Sequence, residues 1–207
     1  MKITNTQILI IIILLLIFWY FVYKNQPTSN LQTYKNTDYG FTIQYPKQLI
    51  PEFTFKTYYH LSNTWRVDAM PQTKGQGIIS IPIYRIDNNN AYPRYFDAEL
   101  RIGASADAKD VADCYSPNSG YQASLTTQVI NGIQFRKFEF GGGGMMQYLY
   151  GTSYRIIHNN ICYAIEQIKT GSNYSDGPMP NDIKQDVLDG YYNQIFDIIK
   201  TFKFINP

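Results

Sequence analysis

Few side chains in this 207-residue sequence are of kinds that make or break covalent bonds, and those few are scattered. His60 and His158 are the only histidines. Zinc sites draw on His and Cys at short spacings, and neither histidine stands in such a cluster. Ser-His-Asp catalysis needs three groups brought together by the fold. Gly103-Ala104-Ser105-Ala106-Asp107 lacks the closing glycine of a nucleophile elbow, so it offers no clear nucleophile. Gly141 to Gly144 invites comparison with a phosphate loop. Such a loop leads into a helix, usually with a Lys, whereas Met145-Met146-Gln147-Tyr148-Leu149-Tyr150 reads as a strand. Asp176, Asp182 and Asp186 could offer oxygen ligands to calcium. Their spacing departs from the helix–loop–helix calcium pattern, and a solvated surface loop fits them better. We therefore assign no catalytic residue, no cofactor and no metal.

Two other sets of residues bear on function. Cys114 and Cys162 are the only cysteines, and in an exported domain an even pair suggests a disulfide. The alternative is two unrelated buried thiols. A bridge would be worth about 4 kcal/mol in the chain-entropy account. The second set is aromatic. Among the 19 tyrosines, Tyr58, Tyr59, Tyr92 and Tyr95, with Trp65, are candidate platforms for stacking on a sugar or peptide. The competing reading is that a β-rich domain uses Tyr because it suits half-buried strands.

The element that would position all of this is an apolar run from Ile8 to Val22, with Trp19, Tyr20 and Tyr23 at its downstream end. Residues 3 to 23 are uncharged, and Lys2 and Lys24 bracket them. As a helix this stretch would span roughly 30 Å, the thickness of a bilayer's hydrocarbon core, with its aromatic residues at headgroup level. A cleaved signal is the alternative, but Phe21-Val22-Tyr23-Lys24-Asn25-Gln26-Pro27 holds no small-x-small cleavage site. The reading is a short stub (1–7), a transmembrane anchor (8–23) that contacts the lipid bilayer, a polar linker (24–36) and a folded domain (37–207). Flanking lysines leave orientation nearly tied. The short stub and long following domain favour a cytoplasmic N-terminus and an extracytoplasmic C-terminal domain.

Lys2 and Lys24 are two of the 18 basic residues, and no acid lies among the first 24 positions, so the remainder balances its 16 acidic residues. A formally neutral domain argues against nucleic acid as a partner, since that demands a basic face.

Within the domain, Phe41, Ile43 and Tyr45 alternate with Thr42 and Gln44, and Pro46 ends the strand. Ile78 to Ile86 reads as a strand at an edge or bulge because of Pro82, and Tyr95 to Ala104 as another. Asn131-Gly132 marks a tight hairpin between Leu125–Ile130 and Ile133–Phe140, since both residues tolerate positive φ. Asn159-Asn160 does the same between Met146–His158 and Ile161–Lys169. With Gly141 to Gly144 as the intervening connector, these strands form an antiparallel meander. Asn181 or Asp182 is placed to cap a helix to about Lys200, with a kink or break at Gly190.

Tyr39-Gly40-Phe41-Thr42-Ile43-Gln44-Tyr45-Pro46 resembles the opening strand of PsbP-like domains. Ile195-Phe196-Asp197-Ile198-Ile199-Lys200-Thr201-Phe202-Lys203-Phe204 resembles their terminal helix and tail. The resemblance implies an α+β fold, an antiparallel β-sheet flanked by helices in an α/β/α sandwich, and many bacterial relatives that are anchored extracytoplasmic domains. Its motifs are structural and imply no activity. The functional expectation is a non-enzymatic, membrane-anchored extracytoplasmic domain that binds a protein or cell-envelope partner. The alternatives are a glycan-binding or enzymatic domain with a Tyr-lined cleft, and a structural subunit of a membrane complex.

Overall fold

A computed structural model describes residues 30–57, 61–70, 72–86, 94–116, 126–172 and 182–205. The chain divides into two units, Met1–Leu31 and Gln32–Pro207. The stub and anchor lie outside the described residues, among which no helix is long and apolar enough to cross a membrane.

Alternating and turn-forming sequence produces nine strands in two sheets among the described residues. Strands β1 (Leu31–Asn36), β2 (Phe41–Pro46) and β9 (Lys203–Phe204) form the smaller sheet, in the order β1-β2-β9. The larger holds β3 (Gln76–Ile86), β4 (Phe96–Ser105), β5 (Thr126–Ile130), β6 (Ile133–Gly144), β7 (Gln147–His158) and β8 (Ile161–Ser172). Its order is β3-β4-β8-β7-β6-β5 and each neighbouring pair is antiparallel. The expected meander is therefore present as β5 through β8. Pro82 falls on the edge strand β3, at one of its two register shifts, where a missing N–H is tolerated.

Three tight turns make the meander. Asn131 and Gly132 (φ 50° and 81°) join β5 to β6, and Asn159 and Asn160 (φ 48° and 60°) join β7 to β8. Both use residues that reach positive φ cheaply. The middle turn differs from the expectation. Gly141 to Gly144 is the end of β6, paired with Tyr150 to Gln147, rather than a connector. Backbone hydrogen bonds suffice for that pairing, and the turn itself is Met145-Met146, with φ 48° and 65°. Left-handed backbone costs a side-chain-bearing residue about 1–2 kcal/mol.

The segment ending at Asn36, expected as linker, already contains β1. Gln32, Tyr34 and Asn36 are half-buried while their neighbours face out, and the Tyr34 ring lies 6.0 Å from that of Phe41. A mostly polar strand with one half-covered face carries too little apolar signal to be told from a linker.

Helix α2 (Gln185–Ile199) closes the domain. It starts three residues after Asp182, which pairs with Arg94 at 3.1 Å instead of capping it. It also runs unbroken through Gly190. Ile195, Ile198 and Ile199 of α2, Phe202 beyond it, and Phe41, Ile43 and Tyr45 of β2 bury one face of the large sheet. That face offers Ala98, Leu100, Ile102, Tyr163 and Ile165. The opposite face is covered by residues 52–57 and 61–69 and by α1 (Ala108–Ala112), a helix of five residues. Among the described residues the architecture is thus mostly antiparallel sheet with few helices, the 15-residue α2 on one face and the short α1 on the other.

Candidate functional site

Along β4 the side chains pointing away from α2 are Asp97, Glu99 and Arg101, a pattern that in isolation describes a solvent-facing surface. Yet every residue of β4 is buried. The reason is the cover of residues 52–57 and 61–69, the latter lying against this face so closely that a Cβ at Gly103 would sit 1.9 Å from the Trp65 carbonyl oxygen. Glycine at 103 lets the two backbones meet.

Covering charged groups demands that they satisfy one another. Arg101 Nε donates to Glu99 at 2.7 Å, and its other nitrogens donate to the carbonyls of Ser62 (2.8 Å) and Lys56 (2.6 Å). Arg85 Nε donates to Asp97 at 2.6 Å. Ser80 Oγ donates to Glu99 at 2.7 Å. Beside this group, Asp68 Oδ1 lies 2.7 Å from Arg66 Nε and 2.8 Å from Arg155. Val67 N–H donates to both oxygens of Glu166, at 3.2 and 3.0 Å. Burial dominates the titration of Glu166, Glu99 and Arg155. It pushes the Glu166 carboxyl up to about 7 against the pull of Arg155, raises that of Glu99, and lowers the Arg155 guanidinium. Glu166 is 1% exposed, so no solute reaches it. Its role is to hold segment 65–69 on the sheet.

At the edge of this network the covering segment meets α1. Arg66 donates to the carbonyls of Asp113 and Cys114, each at 3.4 Å. Cys114 in turn forms a disulfide with Cys162 of β8, with a Cα–Cα distance of 5.7 Å and both residues fully buried. Between residues 72–74 and α1 opens a cleft of about 780 Å³, lined among others by Arg66, Thr73, Lys74, Asp107, Asp110 and Asp113. Lys74 Nζ lies 3.1 Å from Asp107, and its hydrogen bond holds that carboxyl below the usual range. Asp110 accepts from Ser105 Oγ at 2.6 Å and from Lys74 N–H at 3.2 Å. The cleft carries both signs of charge, and Asp110 ties its two walls to one another and, through Ser105, to β4.

Comparison with known proteins adds little. No protein-family model matches the chain, and no curated protein does. Among solved structures it is similar to the solution structure of cyanobacterial PsbP (CyanoP) from Synechocystis sp. PCC 6803. Identity is 14%, the match covers 87% of this chain and 95% of that one, and the TM-score is 0.40. A likeness at that level says nothing of activity or partners.

Of the residues singled out in the sequence as stacking platforms, Trp65 and Tyr95 are among the described residues. Trp65 is 2% exposed, packed with Ala69, both cysteines and Ala164, so it cannot stack on a ligand. Tyr95 is half-buried and its hydroxyl donates to Thr170. Tyr58, Tyr59 and Tyr92 lie outside the described residues, as do His60 and Asp176. His158 stacks on Phe204 at 3.9 Å, a packing role. Among the described residues no group of three or more His, Cys, Asp or Glu is placed to hold a metal ion. Sequence reasoning missed Arg66, Asp68, Arg155 and Glu166. Arg66 and Asp68 stand in a segment without strand pattern, Arg155 and Glu166 are single charges on β7 and β8, and nothing local says that they are covered.

Proposed function

We propose that this chain is a membrane-anchored extracytoplasmic domain that binds a protein or cell-envelope partner without catalysis. The observation that carries the reading is the buried Cys114–Cys162 disulfide, a bond that persists in oxidising compartments outside the cytoplasm. The apolar run at 8–23 supplies the anchor, and the formally neutral remainder argues against nucleic acid. The charged network supports binding over chemistry, because its ionised groups are tied to one another beneath segment 65–69 rather than presented to a substrate. The cleft beside α1 is a surface feature with fixed walls, as a binding site requires. Crosslinking in native membranes followed by mass spectrometry tests the reading. Recovery of the same membrane or envelope partner in repeated preparations is expected, and repeated recovery of none contradicts it.

A further inference from the structure

The larger sheet ends in two strands, β3 and β5, whose outer edges are built differently. On β3 the edge is occupied. Glu52 and Ser80 exchange backbone hydrogen bonds of 2.7 Å in each direction, and Pro82 removes a further donor. In the smaller sheet the edge strand β1 carries Lys35. Cover, proline and charge are the usual means of keeping a strand edge from pairing with another chain. On β5 all three are missing. Among the described residues nothing pairs with its outer edge, the strand holds no proline, and the sequence has no charge from Cys114 to Phe135.

The Asn131-Gly132 turn decides which backbone groups of β5 face outward. A two-residue hairpin makes Ile130 and Ile133 a hydrogen-bonded pair, and alternation along the ladder then turns Thr127 and Val129 away from β6. Gln128 Nε2 donates to the Val129 carbonyl at 3.1 Å, where a neighbouring strand would otherwise donate. Groups in this order call for an extended chain rather than a lipid or a small molecule. They also match their own copy. About a two-fold axis at Gln128, Thr127 lies opposite Val129 of a second copy and Val129 opposite Thr127 of that copy, with every outward N–H and C=O paired. Each such pair is β-branched on both sides and covers Val129, which is 61% exposed. An uncharged edge meets no like-charge repulsion from itself, and this self-matching register is what favours a second copy over a foreign strand. We propose that β5 is a homodimer interface, through which two copies join their large sheets edge to edge. The contact is small, which puts the dimer in the weak, reversible class. The inference is independent of the anchor and of the cleft.

The test uses the full chain in detergent micelles, with sedimentation velocity over a concentration series and cysteine crosslinking. The parent is expected to show a reversible monomer–dimer equilibrium. Val129→Lys places a charge on the edge and is expected to raise the dimer's dissociation constant at least about tenfold, with an unchanged circular dichroism spectrum. In the proposed register Gln128 faces its own copy in a non-hydrogen-bonded pair, where side chains lie closest, while Thr126 faces Ile130. Under mild oxidation Gln128→Cys should therefore crosslink at least about fivefold more than Thr126→Cys. The native cysteines are bonded to each other and do not compete. A parent that stays monomeric at concentrations on the order of 100 μM overturns the proposal. A dimer that Val129→Lys leaves intact places the contact elsewhere, the anchor included, and overturns it as well. Equal crosslinking at 126 and 128 does the same, since it reports collision rather than register.

Discussion

At position 166 a carboxylate lies between Arg101 of β4 and Ser153 of β7, with Arg155, Arg66 and Asp68 nearby and the Val67 amide above it. Burial raises it to about 7, so the folded protein keeps this proton at pH values where the unfolded chain has lost it. The sign follows from linkage. The contribution is full below the unfolded value of about 4.5 and is lost as pH rises through about 7, on the order of 3 kcal/mol. We expect Glu166→Gln, which cannot ionise, to flatten this part of the profile. Urea midpoints at pH 5 and pH 8 should fall further in the parent than in the variant. Equal falls would mean that Glu166 does not titrate as its burial dictates. Trp65 gives the complementary lesson. A lone Trp in a turn-rich segment invites a ligand-stacking reading, but the close approach at Gly103 turns it inward.

Among the elements, the middle hairpin of the meander is the one whose sequence and conformation disagree. Replacing Met145 by Asn and Met146 by Gly supplies what a turn with two positive φ values prefers. We expect the double variant to be more stable by roughly 1 kcal/mol, raising Tm by about 2–4 °C in a scanning experiment. A lower Tm would show that the methionines hold the turn rather than strain it. The flanking elements show what was legible in the sequence. Asn131-Gly132 and Asn159-Asn160 announced their turns because their side chains suit the backbone. Strands β6 to β8 and helix α2 followed from spacing. The end of β6 was not legible, since four glycines pair through backbone groups that leave no side-chain pattern. The boundary at β1 was missed for a related reason, as only Tyr34 of that strand adds substantial apolar surface.

For the molecule as a whole, the large sheet is buried on two unlike faces, one apolar beneath α2 and β2, the other carrying the ionic network beneath residues 52–57 and 61–69. The apolar face was readable from alternation. The ionic one was not, because covering a charged face depends on contacts between distant segments, such as Val67 with Glu166. Cys114–Cys162 fastens the α1 side of that cover to β8. Replacing both cysteines by serine should therefore cost about 4 kcal/mol, lowering Tm by roughly 10 °C. An unchanged Tm would mean that the bridge adds nothing to the fold.

The same bond gives the most direct test of the claim that this domain works outside the cytoplasm. Thiols are blocked in intact cells before lysis, and the Cys114 and Cys162 peptides are then analysed by mass spectrometry. The account predicts the two peptides joined and unblocked. Both cysteines recovered as blocked free thiols would contradict it and place the domain in a reducing compartment.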